Sequence, residues 1–419
     1  MLPQSTAVAP DASRATGGQE ADAPPGQHDP GGYAAEIREC APESWANTVR
    51  CAAGLAPGPS RPYQVEIHLA SEKAHGCPQN CIDCVGQFLR GPGATPPQTY
   101  HRLLDDLAAM GVPSVNYSGI YTDPLQDEKL AIALLKRGSR RWGVRLHTLG
   151  WGLTNPLRDA IIEAALAGPD DYSYVTFSKA TTDPRTYARM CRPRFVSSEG
   201  ALRQEEANLL AFFRLAAANG FPLGVTVNCR ITQINGSPQL IAELLRWFND
   251  TPSGVRLRFT IDYLPTRSPA EYVRQFQDRL YVDSTQARRA IAEAIELSGF
   301  SALERIALRS VEPDSRYDGP TCHNRRLFAA ISASGKVHPC QGIASPAFDA
   351  LAYGDLRHER FPVIWERMSG VNYWQQPDPI DMGCPHCAAA CEKHINTTIA
   401  IEAAKLAQSL ATRGAGTLV

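Results

Sequence analysis

Tyr63–Cys84 reads YQVEIHLASEKAHGCPQNCIDC, and its two halves together decide the fold. The first half alternates: Val65 and Ile67 fall on one side, Glu66 and His68 on the other, which is the period of a strand with one apolar and one polar face. The second half sets Cys77, Cys81 and Cys84 in a C-x₃-C-x₂-C pattern directly after that strand. Three thiols are an odd number for disulfides and one short of a closed metal site.

The alternation recurs along the chain. Strands are predicted at 63–70, 114–119, 144–150, 172–178, 223–232 and 255–264, with amphipathic helical segments between them. Strands alternating with helices imply right-handed βαβ units and one parallel sheet. Val115, Tyr117, Val144, Leu146, Val175, Phe177, Val225, Val227, Leu257, Phe259 and Ile261 continue the apolar face. Asn116, Ser118, Arg145, His147, Thr176, Ser178, Asn228, Arg230, Arg258, Thr260 and Asp262 continue the polar one. Parallel strands covered on both sides usually read apolar on both faces, so this polar face must line something wet. A closed eight-stranded barrel fills its lumen with branched aliphatics. The pattern here predicts an α/β fold, a partial (β/α)6 TIM-like barrel with a polar lumen; the alternative is an open sheet with one solvated face.

The organisation expected around that barrel is a disordered tail over 1–32, a helical extension over 33–61, the barrel over 62–300, and a small C-terminal auxiliary-cluster domain over 301–419. The tail is Pro, Gly, Ala and Ser without periodicity or a signal-peptide core. With 43% hydrophobic residues, 20% charged and a net charge of −1, nothing suggests nucleic acid or an anionic membrane as partner. No apolar run reaches the length of a membrane span. Twelve cysteines without an export signal read as reduced thiols and metal ligands of a cytoplasmic protein. Cys40, Cys51, Cys191 and Cys229 are scattered, as small buried hydrophobes are. The other eight form two groups, Cys77, Cys81 and Cys84, then Cys322, Cys340, Cys384, Cys387 and Cys391.

Iron–sulfur clusters are held by cysteine thiolates, usually four, and three in one loop leave one iron open to another ligand. At this point the sequence resembles the radical S-adenosylmethionine (SAM) enzymes, over about residues 62–265. The resemblance implies a [4Fe–4S] cluster on Cys77, Cys81 and Cys84 that binds SAM and, once reduced, cleaves it to methionine and a 5′-deoxyadenosyl radical. The residue before the third cysteine is usually aromatic in that family and is Asp83 here. The family's Gly-Gly-Glu-Pro stretch after the second strand is represented loosely by SGIYTDPL, Ser118–Leu125. Ser118, Gly119 and Asp123 are the candidates for the methionyl amino group of SAM. Ser178, Asn228 and Arg230 are the candidates for its ribose and carboxylate. An ordinary strand-to-helix turn also accounts for SGIYTDPL, and a zinc site with His75 as fourth ligand for the three cysteines.

The second group resembles the SPASM/twitch extension of the same enzymes, in the shorter, one-cluster form. That implies one auxiliary [4Fe–4S] cluster on Cys322, Cys340, Cys384 and Cys387, with Cys391 as a replacement ligand or hydrogen-atom donor. The alternative is a zinc knuckle on Cys384, Cys387, Cys391 and His394, whose C-x₂-C-x₃-C-x₂-H spacing suits it. Glu66, His68, His147 and Asp262 are the candidate acids and bases of the lumen. The resemblance points to dehydrogenation, dehydration or deoxygenation, or epimerisation at an unactivated C–H bond. The polar lumen favours a small-molecule polyhydroxylated aminosugar or aminocyclitol of antibiotic-type biosynthesis over the alternative, a ribosomally made peptide to be cross-linked. A flavodoxin or ferredoxin electron donor is expected, and for a deoxygenation a nicotinamide-dependent reductase partner. A non-catalytic scaffold with two zinc sites is the remaining reading.

Overall fold

A computed structural model of the chain describes residues 30–55, 60–71, 77–84, 86, 94–120, 122–169, 173–194, 196–261, 274, 277–310, 321–369 and 390–415. The order of elements is α1 (Pro30–Cys40), α2 (Pro42–Ala52), β1 (Gln64–His68), α3 (Pro97–Met110), β2 (Ser114–Ser118), α4 (Glu128–Trp142), β3 (Arg145–Thr148) and α5 (Asn155–Ala167). Then follow β4 (Tyr174–Ser178), α6 (Pro184–Met190), α7 (Ser198–Ala218), β5 (Gly224–Arg230), α8 (Pro238–Asn249), β6 (Val255–Ile261), α9 (Ser284–Ser298) and β7 (Ile306–Ser310). The last part comprises β8 (Phe328–Ile331), β9 (Lys336–His338), β10 (Gly354–Asp355), α10 (Phe361–Ser369) and α11 (Ala390–Ala415).

The helices start and stop where local chemistry directs. Asp127, Thr154, Asp183, Ser197, Ser237 and Asp283 each accept a hydrogen bond from a first-turn backbone N–H. Gly111 and Gly299 close α3 and α9 in the left-handed conformation, at φ of 69° and 67°.

All six predicted strands form, and β1 to β6 lie side by side in chain order, all parallel. The sheet does not stop at residue 300. β7 pairs in parallel with β6 at one flank and β8 in parallel with β1 at the other, before β9 and β10 add antiparallel. The apolar face of β1 to β6 is the main core. Val65, Ile67, Leu146, Val175, Phe177, Val227, Leu257 and Phe259 are buried there against Leu103, Leu134, Ile161, Phe212, Phe213 and Leu245 of the surrounding helices.

The polar face separates the two readings of the sheet. In a flat sheet with one solvated side, Glu66, His68, Asn116 and Arg145 would be open to water; each is 4% exposed or less. From β1 to the start of β3 the face is turned inward, as in a partial barrel, while Asn228, Arg230 and Arg258 further on are half-buried and Ser178 is exposed. The N-terminal helices help to close its base. Glu36 of α1 accepts hydrogen bonds from Tyr63 and from Arg145 at the start of β3, at 2.6 and 3.2 Å. Ile37, Trp45 and Val49 pack with Ile395 and Ile399 of α11 against Tyr63, Leu327 and Phe328. The helical extension thus docks on the C-terminal helix, and it begins at Pro30, inside the stretch expected to be tail; residues 1–29 lie outside those described. Among the described residues no helix is long and apolar enough to cross a membrane.

Candidate active site

The loop from Cys77 to Cys84 follows β1 and is stitched by main-chain bonds to the last residue of α6 and the segment after it. Ile82 N donates to Met190 O at 2.8 Å, Arg192 N to Gln79 O at 2.9 Å, and Arg194 N to Pro78 O at 3.1 Å. Asn80 takes a φ of 49°, a left-handed turn that asparagine tolerates better than most residues. From β5, Arg230 Nη1 donates to the Asp83 carbonyl at 2.7 Å, with the Asp83 carboxylate 4.0 Å away. This gives Asp83, the departure from the family pattern, a partner of its own: a guanidinium on the facing strand.

All three thiols line one cavity of about 290 Å³ at the C-terminal ends of β1 to β5. Gly119, Asp123, His147, Ser178, Asn228 and Arg230 line it too, so the fold gathers most of the predicted site residues around the cysteine loop. Only a glycine fits at 119, since a Cβ there would come within 2.3 Å of the Thr122 carbonyl. Ser118 is not on the wall; its side chain bonds to Glu66 instead.

Asp123 is heavily engaged. Its carboxylate accepts from the backbone N–H of Leu125 and Leu149, at 3.0 and 2.8 Å, and from the Thr148 hydroxyl at 2.9 Å. It braces the turn after β2 against the end of β3. Burial raises its pKa, and those hydrogen bonds hold the rise in check. Asn228 receives Arg258 Nε at 2.8 Å and the Thr260 hydroxyl at 2.6 Å.

The thiols are desolvated, and the Arg230 guanidinium offsets this only in part at Cys84. Burial pushes Cys77 well up and Cys84 to about 12; for Cys81 the hydrogen bond with Cys191 leads, with burial second. Three thiols of one loop, desolvated around a cavity and held by backbone bonds, fit a group that would itself supply the positive charge for thiolates. Among the described residues no three Cys, His, Asp or Glu side chains converge as ligands of a single metal ion, the arrangement a mononuclear zinc requires. His75 lies outside the described residues.

Several wall residues escaped the sequence reading. Cys191, expected as a scattered buried hydrophobe, has its sulfur 3.4 Å from that of Cys81. Lys179 Nζ is fully buried, 3.2 and 3.1 Å from carboxylate oxygens of Glu205 and Glu206, and 4.9 Å from the Trp247 ring centroid. Tyr187 Oη lies 3.1 Å from Glu205 Oε2 and 3.0 Å from the Gln79 amide oxygen. One hydroxyl proton cannot serve two acceptors. Turning the Gln79 amide over lets its NH₂, otherwise without a partner, donate to Tyr187, which donates onward to Glu205. This network pairs the charges buried directly behind the cysteine loop. The one signal was Lys179 itself, a lysine placed directly after a strand.

Deeper in the lumen, Glu66 accepts from His68 Nε2 at 2.9 Å and from Asn116 Nδ2 at 3.0 Å. Burial pushes the Glu66 carboxyl up, yet the His68 bond and its neighbours outweigh this and leave it below the usual range. His147 is 3.4 Å from Tyr174 Oη, and burial brings its pKa down to about 4. The lumen thus pairs a carboxylate with a neutral imidazole. Asp262 lies outside the described residues.

Of the second cysteine group, Cys322 is buried and Cys340 half-buried at the end of β9. Asn396 Oδ1 of α11 accepts from His323 N at 2.6 Å and Asn324 N at 3.2 Å, tying the chain after Cys322 to the helix whose first turn includes Cys391. Cys384 and Cys387 lie outside the described residues, as does the side chain of Cys391.

No protein-family model matches the sequence, and neither does any curated protein. Solved structures do. Streptococcus suis SuiB bound to precursor peptide SuiA is 16% identical over 77% of this chain and 66% of that one, with a TM-score of 0.50. Native anSMEcpe with bound AdoMet and Cp18Cys peptide is 10% identical over 85% of this chain and 100% of that one, at 0.46. BtrN in complex with AdoMet and 2-DOIA is 9% identical over 75% and 89%, at 0.32. The likeness to SuiB is one of fold, the α/β partial barrel, and this chain spans about two thirds of SuiB's length.

Proposed function

We propose that this chain is a radical SAM enzyme that acts on a polyhydroxylated aminosugar or aminocyclitol. One observation carries the reading: Cys77, Cys81 and Cys84 share a cavity at the strand C-termini with Gly119, Ser178, Asn228 and Arg230. Barrels place their chemistry at that end. When bound there and reduced, a [4Fe–4S] cluster would supply the cleavage of SAM to a 5′-deoxyadenosyl radical that takes a hydrogen atom from substrate.

The chain's own residues have separate tasks in this reading. Arg230 fixes the cysteine loop through Asp83. Ser178 and Asn228 face the nucleoside, and Gly119 lets the amino-acid end approach the main chain. Glu66, with His68 behind it, and the neutral His147 accept or return protons as the substrate changes. Cys322 and Cys340, with Cys384 and Cys387, would hold an auxiliary cluster, which would supply a site for one-electron chemistry. A flavodoxin or ferredoxin delivers the reducing electron. A nicotinamide-dependent reductase would complete a deoxygenation.

The substrate class rests on the inward polar face. Buried hydrogen-bonding groups that an apolar ligand leaves unpaired penalise that ligand by several kcal/mol, on the order of 1–3 per group. The test is anaerobic incubation of reconstituted protein with SAM, dithionite and a panel of aminocyclitols and aminosugars. 5′-Deoxyadenosine and the mass of each compound are followed together. Substrate-dependent deoxyadenosine with loss of two hydrogens means dehydrogenation, and loss of water means dehydration. Unchanged mass with deuterium uptake from solvent means epimerisation. Deoxyadenosine only at background with sugars, and coupled turnover with a precursor peptide, would replace the sugar by the peptide-maturase reading. None from iron-loaded protein would overturn the radical SAM reading.

A further inference from the structure

The inner face carries a second polar feature beyond the wall of the main cavity. Strand register places His338 opposite Ala330, Ala330 opposite Glu66, and Glu66 opposite Asn116, so these residues share one row on the inner face. Ala330 is the only residue between His338 and Glu66, and its methyl leaves the longer side chains free to approach each other above it. His68 stands one step further along the same face of β1.

Hydrogen-bonding capacity in this row is left over. His338 and His68 are fully buried and Asn116 is 3% exposed. Among the described residues, both ring nitrogens of His338, Nδ1 of His68 and Oδ1 of Asn116 have no hydrogen-bond partner. The nearest carboxylate oxygen to His338 is Asp349 Oδ1, 3.9 Å from Nε2 and itself unpartnered. A buried polar group left unpaired is costly, so these four atoms, three in the row and one a step along it, mark an incomplete site rather than a finished core.

The vacant atoms also define what completes it. His68 donates from Nε2 to Glu66, which leaves Nδ1 as its remaining polar atom. Asn116 donates its NH₂ to Glu66, which leaves Oδ1 as an acceptor. Neutral His338 offers one donor and one acceptor. The site therefore presents donors and acceptors together, and its ligand must supply both. A carboxylate or phosphate, which only accepts, cannot meet it; neighbouring hydroxyl and amino groups can. An ammonium would also meet the Glu66 carboxylate.

We propose that His338, His68 and Asn116 form a subsite for the hydroxyl and amino groups of a polyol or amino-polyol ligand. This rests on the functional reading above and specifies its substrate end. His147, on the cavity wall, lies near enough to Glu66 to feel its charge, so the subsite adjoins the cavity. His338 stands two residues before Cys340, so a ligand held there is close to the candidate auxiliary ligands.

The experiment is isothermal titration of the anaerobic, iron-loaded, SAM-bound protein with 2-deoxystreptamine, myo-inositol and D-glucuronate. Wild type is expected to bind 2-deoxystreptamine most tightly and glucuronate least. His338→Phe should weaken 2-deoxystreptamine at least tenfold. Of His338→Gln, which replaces Nε2, and His338→Asn, which replaces Nδ1, at least one should stay within about threefold of wild type. Thermal melts establish that each variant is folded. Should His338→Phe not fold, Ala330→Val, which fills the hollow, is expected to give the same loss. Equal affinity in wild type and His338→Phe, preference for glucuronate, or no binding of any probe by wild type overturns the subsite. 5′-Deoxyadenosine is scored separately in the same preparation. Its absence overturns the radical SAM reading and leaves the binding result standing.

Discussion

The two cysteine groups are built in opposite ways. Cys77, Cys81 and Cys84 come from one short loop, and the sheet, α6 and Arg230 need only hold that loop still. Cys322 and Cys340 stand eighteen residues apart in sequence. They belong to the part of the chain in which β8 pairs with β1, β9 folds back on β8, and α11 is tied down by Asn396. A ligand set carried by one loop is a property of local sequence; one spread across strands is a property of topology. The first should tolerate damage to the second, and the largest expected effect tests this. Cys77→Ala should lower 5′-deoxyadenosine formation by about 10³-fold or more, since the chemistry behind it is worth many kcal/mol. On the proposed function, Cys340→Ser should remove iron and sulfide from the second group and keep background deoxyadenosine. Loss of the first site's SAM-dependent signal in electron paramagnetic resonance of Cys340→Ser would break the comparison.

The loop is local in sequence, but its support is not. Behind Cys81 lie Lys179, Glu205, Glu206, Tyr187 and Gln79, a network that joins β4, α6, α7 and the loop. Lys179→Met should destabilise the protein by about 3–5 kcal/mol, because it strands two carboxylates beside a buried site. Chemical denaturation reads this directly. A change below about 1 kcal/mol would mean that the backbone stitches alone hold the loop.

How far the molecule could be read in advance divides along the same line. Period-two alternation announced the strands, their apolar core face and the inward polar face, because each strand carries its own pattern. The cysteine loop was legible from C-x₃-C-x₂-C. The flanking β7 and β8 were not, since IALRS and FAAI are short and only pairing with β6 and β1 makes them strands of this sheet. Cys191 and Glu205 were hidden for the same reason: a thiol and a carboxylate gain meaning only from neighbours far away in sequence. Asp83 looked like a departure until Arg230 stood opposite it.

Arg230 sharpens the point at a smaller scale. Its bond to the Asp83 carbonyl is charge-assisted, and such bonds are worth about 1.5–3 kcal/mol. Arg230→Met should therefore loosen the loop without dismantling it. The expected result is faster loss of iron to a chelator, by roughly tenfold or more, with the global melt nearly unchanged. Equal rates of iron loss would remove Arg230 from the loop's support and return it to a role toward the ligand alone.

The smallest effect concerns the lumen between the two groups. His147 has a folded pKa of about 4, brought down mainly by burial, against about 6.5 when unfolded. Between those values the unfolded chain binds a proton that the folded chain does not. The neutral ring's contribution is therefore complete above about pH 6.5 and is lost as pH falls toward 4. From pH 7 to 5.5 the loss amounts to roughly 1 kcal/mol. His147→Gln keeps a polar group in place but cannot titrate, so its stability should fall less than that of wild type over this interval, by about that amount. Glu66 acts in a lower window, since its folded pKa is below the ordinary carboxylate value and its contribution fades only on further acidification. Parallel acid curves for the two proteins between pH 7 and 5.5 would mean that His147 is hydrated, with the polar face open to water there rather than enclosed by the barrel.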